Sequence, residues 1–115
     1  MRVAVAQITS SAQPVDNLAL VLTLMDQSAG QDMLFLPEVT NCVSLDRAHQ
    51  ADVLDHFDNN PFIEAICEKA CALGLWVALG SIALKTDDAD GRFANRSILI
   101  TATGSVVAQY DKIHM

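Results

Sequence analysis

The chain has 115 residues, of which 51% are hydrophobic and 18% are charged, so it is sized for one globular domain and is not a disordered segment. Its formal net charge of −7 disfavours nucleic acid or an anionic membrane surface as a partner. Three cysteines without a paired spacing argue against a disulfide framework, and we recognise no targeting or membrane-spanning segment. We therefore expect a cytoplasmic protein.

The first third of the chain predicts a strand, a helix and a second strand. Residues 3–8 form a short apolar run that is typical of a buried strand. Pro14 suits the first turn of an amphipathic helix, and Gly30 is predicted to follow the end of that helix directly. Residues 33–36 form a second apolar run, which predicts a strand that Pro37 ends.

The middle of the chain contains a long loop and a second long helix. We interpret residues 40–59 as a loop with a short helical piece at residues 47–54. Asn60 is predicted to cap the following helix, with Pro61 at its first position and Gly74 at its end.

The last third of the chain predicts three consecutive strands, at residues 75–84, 97–100 and 105–110, with a polar turn at residues 86–91. The predicted order is therefore β-α-β-α-β-β-β, which belongs to the α/β class with parallel pairing first and hairpins at the end. Strands as apolar as these are usually covered on both faces, but two helices cover only one face. Another structural layer is therefore expected on the second face.

Two charged residues lie where chemistry can occur. Glu38 follows an apolar strand and Pro37, and functional groups gather at the carboxyl ends of strands in open α/β sheets, so Glu38 could be a general base. Lys112 follows the last strand, where a fixed ammonium group could stabilise an oxyanion. The local sequence alone favours simpler interpretations, a solvated loop glutamate and an ordinary lysine at a strand end.

The three cysteines are the candidate nucleophiles of this chain. Cys67 and Cys71 are four residues apart on the apolar stripe of the second long helix, which predicts core packing. Cys42 lies in the loop after Glu38 and is expected to be more exposed. It lacks a neighbouring histidine or a helix N-terminus to activate it, which disfavours a catalytic role.

Other polar residues give weaker signals. The three histidines, His49, His56 and His114, do not have the spacing of metal ligands, so neither a metal nor another cofactor is expected. Asn95 could hydrogen-bond a loop near Lys112, and capping a turn is an equally good interpretation.

Taken together and in this order, the segments resemble the N-terminal part of the nitrilase superfamily of carbon–nitrogen hydrolases. Phe-Leu-Pro-Glu at residues 35–38 resembles the glutamate segment of that family, and Tyr-Asp-Lys-Ile-His-Met at residues 110–115 resembles its lysine segment. Supporting matches are the opening strand with its Gln at residues 4–7, the strand at residues 75–81 and the Asn-containing hairpin at residues 95–104.

The resemblance implies a fold and a catalytic site. The family fold is an α-β-β-α sandwich with two sheets face to face, so residues 1–115 would form the N-terminal half, a partial carbon–nitrogen hydrolase domain. By the same resemblance, Glu38 would be the general base and Lys112 the stabiliser of the tetrahedral intermediate. The nucleophilic cysteine of the family follows the lysine, and this sequence stops before it. We therefore expect the chain to be an inactive fragment by itself.

The resemblance also indicates substrates and partners. The sequence is most similar to the Nit branch, which implies a small-molecule amide substrate of the ω-amide or deaminated-glutathione type. A homo-oligomer, or association with a complementary half, is expected. The alternative is a non-catalytic interaction module that docks onto a full-length homologue. An unrelated flavodoxin-like domain fits less well, because the last three predicted strands are consecutive.

Overall fold

The computed structural model describes residues 1–87 and 92–112 as three helices and one five-stranded sheet. The elements are β1 (Val3–Val5), α1 (Pro14–Gln27), β2 (Met33–Leu36), α2 (Arg47–Val53), α3 (Pro61–Leu73), β3 (Trp76–Lys85), β4 (Phe93–Ile100) and β5 (Val106–Asp111). No helix in these two ranges is both long enough and apolar enough to cross a membrane.

The sheet follows the chain order, β1-β2-β3-β4-β5. The β1–β2 and β2–β3 pairs are parallel, whereas β3–β4 and β4–β5 are antiparallel. The predicted α/β class and the order of strands and long helices are thus confirmed, with α2 as the short helical piece expected in the loop.

Local signals predicted the ends of α3 correctly. The Asn60 side-chain oxygen accepts a hydrogen bond from the Ile63 amide at 3.1 Å, and this satisfies one of the free donors of the first turn. At the other end, Gly74 has a φ of 61°, the left-handed conformation that glycine adopts without a steric penalty.

Several other boundaries differ from the prediction. Helix α1 ends at Gln27 with Ser28 as its cap, so the expectation that Gly30 follows the helix directly was wrong. The Ser28 amide closes the helix by bonding to the carbonyls of Leu24 and Met25, both at 3.0 Å. Strand β1 is shorter than predicted and ends at Val5, whereas β4 begins at Phe93. Residues 88–91 of the predicted polar turn lie outside the described residues.

One face of the sheet, here called the inner face, packs against α1 and α3 and forms the main core. The buried side chains come from the inner positions of β2, β3 and β4 and from one stripe on each long helix. The core residues are Val21, Met25, Leu34, Leu36, Phe62, Ile63, Ile66, Ala70, Leu75, Val77, Leu79, Ile82, Leu84, Ile98 and Ile100. Burial of this apolar surface supplies the main favourable free energy of folding.

The opposite face, here called the outer face, is apolar but only partly covered. The strand register places Val5, Phe35 and Ala78 in one row and Met33 and Trp76 in another. On this face Val5 remains 73% exposed, Phe35 40% and Trp76 39%. The prediction that two helices would leave one sheet face without a covering layer is therefore confirmed.

The exposed outer face leads to a prediction about association. We expect the 115-residue chain to self-associate, because this apolar surface gains free energy when it leaves water. The double variant Val5→Lys/Phe35→Lys should shift the chain towards monomer in sedimentation equilibrium, since buried lysine ammonium groups oppose the contact.

The matched control for this experiment adds the same charge elsewhere. Val15→Lys/Leu20→Lys changes two exposed apolar residues of α1, and we expect it to associate as the unmodified chain does. A monomeric unmodified chain, or equal dissociation of both double variants, would contradict the assignment of association to the outer face.

Candidate active site

The site begins with an irregularity in the sheet. The β3–β4 register shifts between Leu79 and Ile82, which places Gly80 and Ser81 in a bulge. A Cβ atom on residue 80 would lie 2.7 Å from the carbonyl oxygen of Leu36, the last residue of β2. Gly80 thus allows the chain that leaves β2 to pass directly against the bulge.

Ser81 holds the turn that contains Glu38. The Val39 amide donates to Ser81 Oγ at 2.9 Å, and the Thr40 amide donates to the Ser81 carbonyl at 3.0 Å. Within the turn, the Thr40 hydroxyl donates to the carbonyl of Pro37. Ser81 and Thr40 are both fully buried, so water does not compete for these bonds. The turn at residues 37–40 is therefore fixed to β3 by buried polar contacts.

The same turn contains a strained residue. Val39 has a φ of 50°, which a β-branched side chain adopts only when the surroundings impose it. This conformation costs about 1–2 kcal/mol relative to an ordinary backbone. The hydrogen bonds from Ser81 and Thr40 offset that cost. They fix the backbone direction on the C-terminal side of Glu38.

Glu38 and Lys112 come from distant parts of the chain and meet in the fold. The Lys112 amide donates to the Asn95 carbonyl at 2.8 Å and continues the β4–β5 ladder beyond β5. Lys112 Nζ donates to Glu38 Oε1, which joins two residues 74 positions apart in sequence. The Glu38 side chain is 67% exposed and that of Lys112 is 30% exposed. An ion pair this open to water contributes little to the free energy of unfolding, so a stabilising role does not account for the contact.

A second ion pair fixes the strand that carries Lys112. Arg96 Nε donates to Asp111 Oδ1 at 2.5 Å, and Arg96 Nη1 donates to Gln109 Oε1 at 3.0 Å. The guanidinium also lies 5.5 Å from the Phe57 ring centre. The hydrogen bond that Arg96 donates to the Asp111 carboxylate raises the pKa of Arg96. The end of β5 is thus anchored immediately before Lys112.

Buried amides anchor the loop that follows the turn. The Asn41 side chain accepts from the Ala83 amide and donates to the Ala83 carbonyl, both at 2.8 Å. The Asn17 side chain at the start of α1 donates to the Asn41 carbonyl at 2.7 Å. Residues 37–42 are therefore tied to both β3 and α1.

The cysteines differ from the prediction. Cys42 is fully buried, not exposed, and burial raises the pKa of its thiol. Its Sγ donates to the Ala12 carbonyl at 3.3 Å, because the loop folds back against the segment before α1. Cys71 is exposed and Cys67 is partly buried, so the prediction that both pack in the core was wrong for Cys71. Burial, reinforced by Glu64, raises the pKa of the Cys67 thiol.

The histidines lie apart from the Glu38–Lys112 pair or outside the described range. His49 Nε2 is 2.7 Å from the Ala12 carbonyl, and His56 Nε2 is 3.0 Å from Asp87 Oδ1. His114 lies outside the described residues. The 1–87 and 92–112 ranges contain no group of three or more histidine, cysteine or carboxylate side chains placed to hold a metal ion.

Two cavities lie near the pair, and Lys112 lines the smaller of them. A cavity of about 430 Å³ is lined by Val39, Arg47, Gln50, Ala83, Arg92, Phe93, Ala94 and Asn95. A smaller one of about 160 Å³ is lined by Thr86, Arg92, Phe93, Ala94, Asn95, Asp111 and Lys112. The two cavities share a wall formed by Phe93, Ala94 and Asn95 of β4. The larger cavity reaches Val39, which follows Glu38, and the smaller one reaches Lys112. Asn95 Oδ1 is buried in this wall and has no hydrogen-bond partner among the described residues.

Sequence reasoning identified the charged pair but missed what holds it. Ser81 was not singled out, although Gly80 inside a strand pattern is a signal for a bulge or a close backbone approach. Arg47 was also missed as a cavity residue, since the loop at residues 40–59 gives no periodic signal that shows which side faces β4.

The buried contact from Ser81 predicts a local effect of its removal. Ser81→Ala leaves the Val39 amide without its acceptor, which should lower the free energy of unfolding by about 1–3 kcal/mol. Native-state hydrogen exchange at Val39 should accelerate. Ser28→Ala is the matched control, because it removes a single hydroxyl bond to the Leu24 carbonyl far from the turn. Unchanged exchange at Val39 in Ser81→Ala would contradict the proposed anchoring.

The cysteine environments predict an order of alkylation. Iodoacetamide requires an accessible thiolate, so Cys71 should react first, Cys67 more slowly, and Cys42 only after unfolding. Peptide mass spectrometry at pH 8 with and without urea measures this order. Rapid modification of Cys42 in the folded chain would contradict its burial. Loss of the fast alkylation phase in Cys71→Ser would assign that phase to Cys71.

Comparisons with known proteins identify the family of the chain. Residues 2–115 match the model of the carbon-nitrogen hydrolase family. The nitrilase and fragile histidine triad fusion protein NitFhit of Drosophila melanogaster is 29% identical over 119 residues, covering 98% of this chain and 24% of the relative. Deaminated glutathione amidase of Yersinia enterocolitica is 27% identical over 114 residues, covering 98% of this chain and 40% of the relative.

Solved structures show the same fold. The NitFhit protein of C. elegans superposes with a TM-score of 0.88 at 24% identity, covering 98% of this chain and 28% of that chain. XC1258 from Xanthomonas campestris, a CN-hydrolase superfamily protein with an arsenic adduct in its active site, superposes with a TM-score of 0.79 at 27% identity. That match covers 99% of this chain and 41% of the other.

The chain thus spans about a quarter to two fifths of the length of these relatives. The match to the family model extends over nearly all of the sequence, and it includes both the Glu38 turn and Lys112. The fold of the model agrees with that of the solved structures. The chain belongs to the carbon-nitrogen hydrolase family.

Proposed function

We propose that this chain supplies the glutamate and lysine of a Glu-Lys-Cys site that hydrolyses a small amide. The observation that supports this most strongly is the contact between Lys112 Nζ and Glu38 Oε1. The pair is open to water and adds little to stability, yet a strained turn and an anchored strand hold it together. Such an arrangement is typical of functional sites.

In the proposed reaction, Glu38 takes the proton of a cysteine thiol, and the resulting thiolate attacks the amide carbonyl carbon so that a carbon–sulfur bond forms. The carbonyl electron pair moves to oxygen, and the Lys112 ammonium stabilises that oxyanion. The carbon–nitrogen bond then breaks, and the nitrogen leaves as ammonia or an amine after protonation, with Glu38 delivering the proton. Glu38 next deprotonates a water molecule, which attacks the thioester and releases the acid and the thiol.

The nucleophile in this scheme is none of the three cysteines of this chain. Cys42 is buried against Ala12, and Cys67 and Cys71 lie on α3, which packs on the inner face of the sheet. The Glu38–Lys112 pair lies at the carboxyl end of β2 and beyond β5 instead. The reaction therefore requires a further cysteine. We propose that residues 1–115 alone do not turn over substrate.

For the substrate we propose a small amide of the ω-amide or deaminated-glutathione type. Several relatives carry the name deaminated glutathione amidase, at 26–28% identity. The 430 Å³ cavity, which is lined by Val39 next to Glu38 in sequence, is of a size that accommodates a small molecule and not a folded protein segment.

The outer face supports a second candidate, a module that docks onto another polypeptide. Apolar side chains such as Val5, Phe35 and Trp76 lie at its surface. We propose that a second sheet covers this face, as in the α-β-β-α sandwich of the family, provided by the same protein, a further copy or a homologue. In the non-catalytic alternative, docking would be the whole function and the charged pair would be dispensable.

Substitution of the pair distinguishes these functions. In the protein that contains this chain, expressed at its natural length, Glu38→Gln should lower kcat for ammonia release by about 10²–10⁴-fold, since it removes a general base. Lys112→Met should lower kcat by about 10²–10³-fold, since it removes an oxyanion donor. Ammonia release from a panel of ω-amides is the measurement.

Helix α3 provides matched controls for both changes. Glu68→Gln and Lys69→Met make the same chemical replacements on the far side of the sheet, where Lys69 pairs with Asp26 on α1. We expect both controls to retain activity. Equal activity in Glu38→Gln and Glu68→Gln would refute the catalytic assignment and favour the docking module.

A further inference from the structure

Asn95 and Lys112 lie opposite one another on neighbouring strands. The β4–β5 register pairs Arg96 with Asp111, and the bond from the Lys112 amide to the Asn95 carbonyl at 2.8 Å continues that register by one pair. Directly opposite residues of antiparallel strands point to the same face of the sheet, with Cβ atoms about 4.5–5.5 Å apart. The side chains of Asn95 and Lys112 are therefore neighbours.

The Asn95 side chain lies on the outer face, at an end of the sheet that is covered. Ile98, three positions later, belongs to the core on the inner face, so the Asn95 side chain points to the opposite side. Two positions before Asn95 and on the same face, Phe93 packs with the buried side chains of Cys42 and Leu54. Asn95 Oδ1 is buried in this covered region.

The two neighbours have complementary unsatisfied groups. Asn95 Oδ1 accepts no hydrogen bond from any residue that the structure describes. A lysine ammonium carries three N–H donors, and within residues 1–87 and 92–112 that of Lys112 uses one, on Glu38 Oε1. A buried acceptor without a partner has lost its hydration without compensation, and such atoms are rare in folded proteins. A second position of the Lys112 ammonium would satisfy this acceptor.

The proposed reaction gives a reason for the ammonium to move. In the structure it donates to Glu38 Oε1, and the same carboxylate has to receive the thiol proton. An ammonium that leaves Glu38 needs another acceptor, and this acceptor must not compete for the proton. A neutral amide oxygen meets this condition, because it accepts a hydrogen bond and does not take up a proton.

We propose that Asn95 is a positioning residue that gives Lys112 a second position. In the free site the ammonium donates to Glu38 Oε1, and in the substrate-bound site it donates to Asn95 Oδ1 and to the developing oxyanion. Only hydrogen bonds are exchanged, because the ammonium keeps all of its protons and Asn95 stays neutral. The inference rests on the proposed amide hydrolysis, which supplies the oxyanion, and Asn95 acts on it through Lys112.

A carboxylate at position 95 makes the second position of Lys112 detectable by crosslinking. Asn95→Asp replaces the side-chain amide by a group of nearly the same shape. In the natural-length protein, a carbodiimide should then join position 95 to Lys112 through an amide bond. Digestion and mass spectrometry would identify this product beside the one that joins Glu38 to Lys112.

The matched control places the same carboxylate out of reach. Ala108→Asp lies on the same strand and the same face as Lys112, four residues before it, and a strand rises about 3.3 Å per residue. We expect no product between position 108 and Lys112. Absence of the product from Asn95→Asp, or equal products in both variants, would overturn the second position.

Kinetics separate positioning from general support of the fold. In the natural-length protein, Asn95→Leu should lower kcat for ammonia release from an ω-amide by about tenfold or more and leave KM nearly unchanged, because the lost bond orients a transition-state donor. In a Lys112→Met background the same substitution should cause no further loss, since the group that Asn95 positions is gone. Equal losses in both backgrounds would indicate a structural role and overturn the inference.

The two experiments also distinguish failure of the inference from failure of the proposed function. The product between position 95 and Lys112, without ammonia release from the unmodified protein, would support the second position and refute the amide hydrolysis. Normal ammonia release without that product would overturn the inference and leave the hydrolysis standing. A circular dichroism melt of each variant verifies folding, and Asn95→Asp remains the test of nearly unchanged shape if Asn95→Leu unfolds.

Discussion

The pair of hydrogen bonds from the backbone of the Glu38 turn to Ser81 is the contact on which the rest of the site depends. Ser81 is available because β3 bulges there, and the turn reaches it because Gly80 has no side chain to meet Leu36. In this turn Val39 has a positive φ, and the hydrogen bonds to Ser81 offset the free-energy cost of that conformation. Without this anchoring, Glu38 would lie on an ordinary flexible connection, and its distance from Lys112 would not be fixed.

The side chains that stabilise the fold lie on one face of the sheet, and most of the residues discussed for the site lie on the other face or at its edge. The inner face forms a closed core with α1 and α3, which accounts for folding of the chain. The outer face and the edge above it contain features that this core does not need. They are an exposed ion pair, uncovered apolar side chains and a buried Asn95 acceptor that has no partner among the residues that the structure describes. Features that stability does not explain are thus concentrated on one side of the molecule, as expected where another layer and a substrate would meet.

Local patterns in the sequence predicted most of the fold. The Asn60-Pro61 start and Gly74 end of α3 were visible because capping is a local interaction. Glu38 and Lys112 were identified through the resemblance of their segments to a family. The bulge at Ser81 was missed although Gly80 is a local signal for it. The burial of Cys42 and the position of Arg47 beside the larger cavity were not predicted, because both depend on how the loop at residues 40–59 folds back onto the sheet. Long-range loop packing has no periodic signature in one sequence.

Zero-length crosslinking tests the contact between Glu38 and Lys112 most directly. A carbodiimide condenses a carboxylate with an amine only when the two are in contact. Digestion and mass spectrometry of the treated chain should therefore yield a peptide that joins Glu38 to Lys112. Lys112→Arg should abolish this product and leave the Asp26–Lys69 crosslink intact as an internal control. Crosslinks from Lys112 only to other carboxylates, with none to Glu38, would contradict the site described.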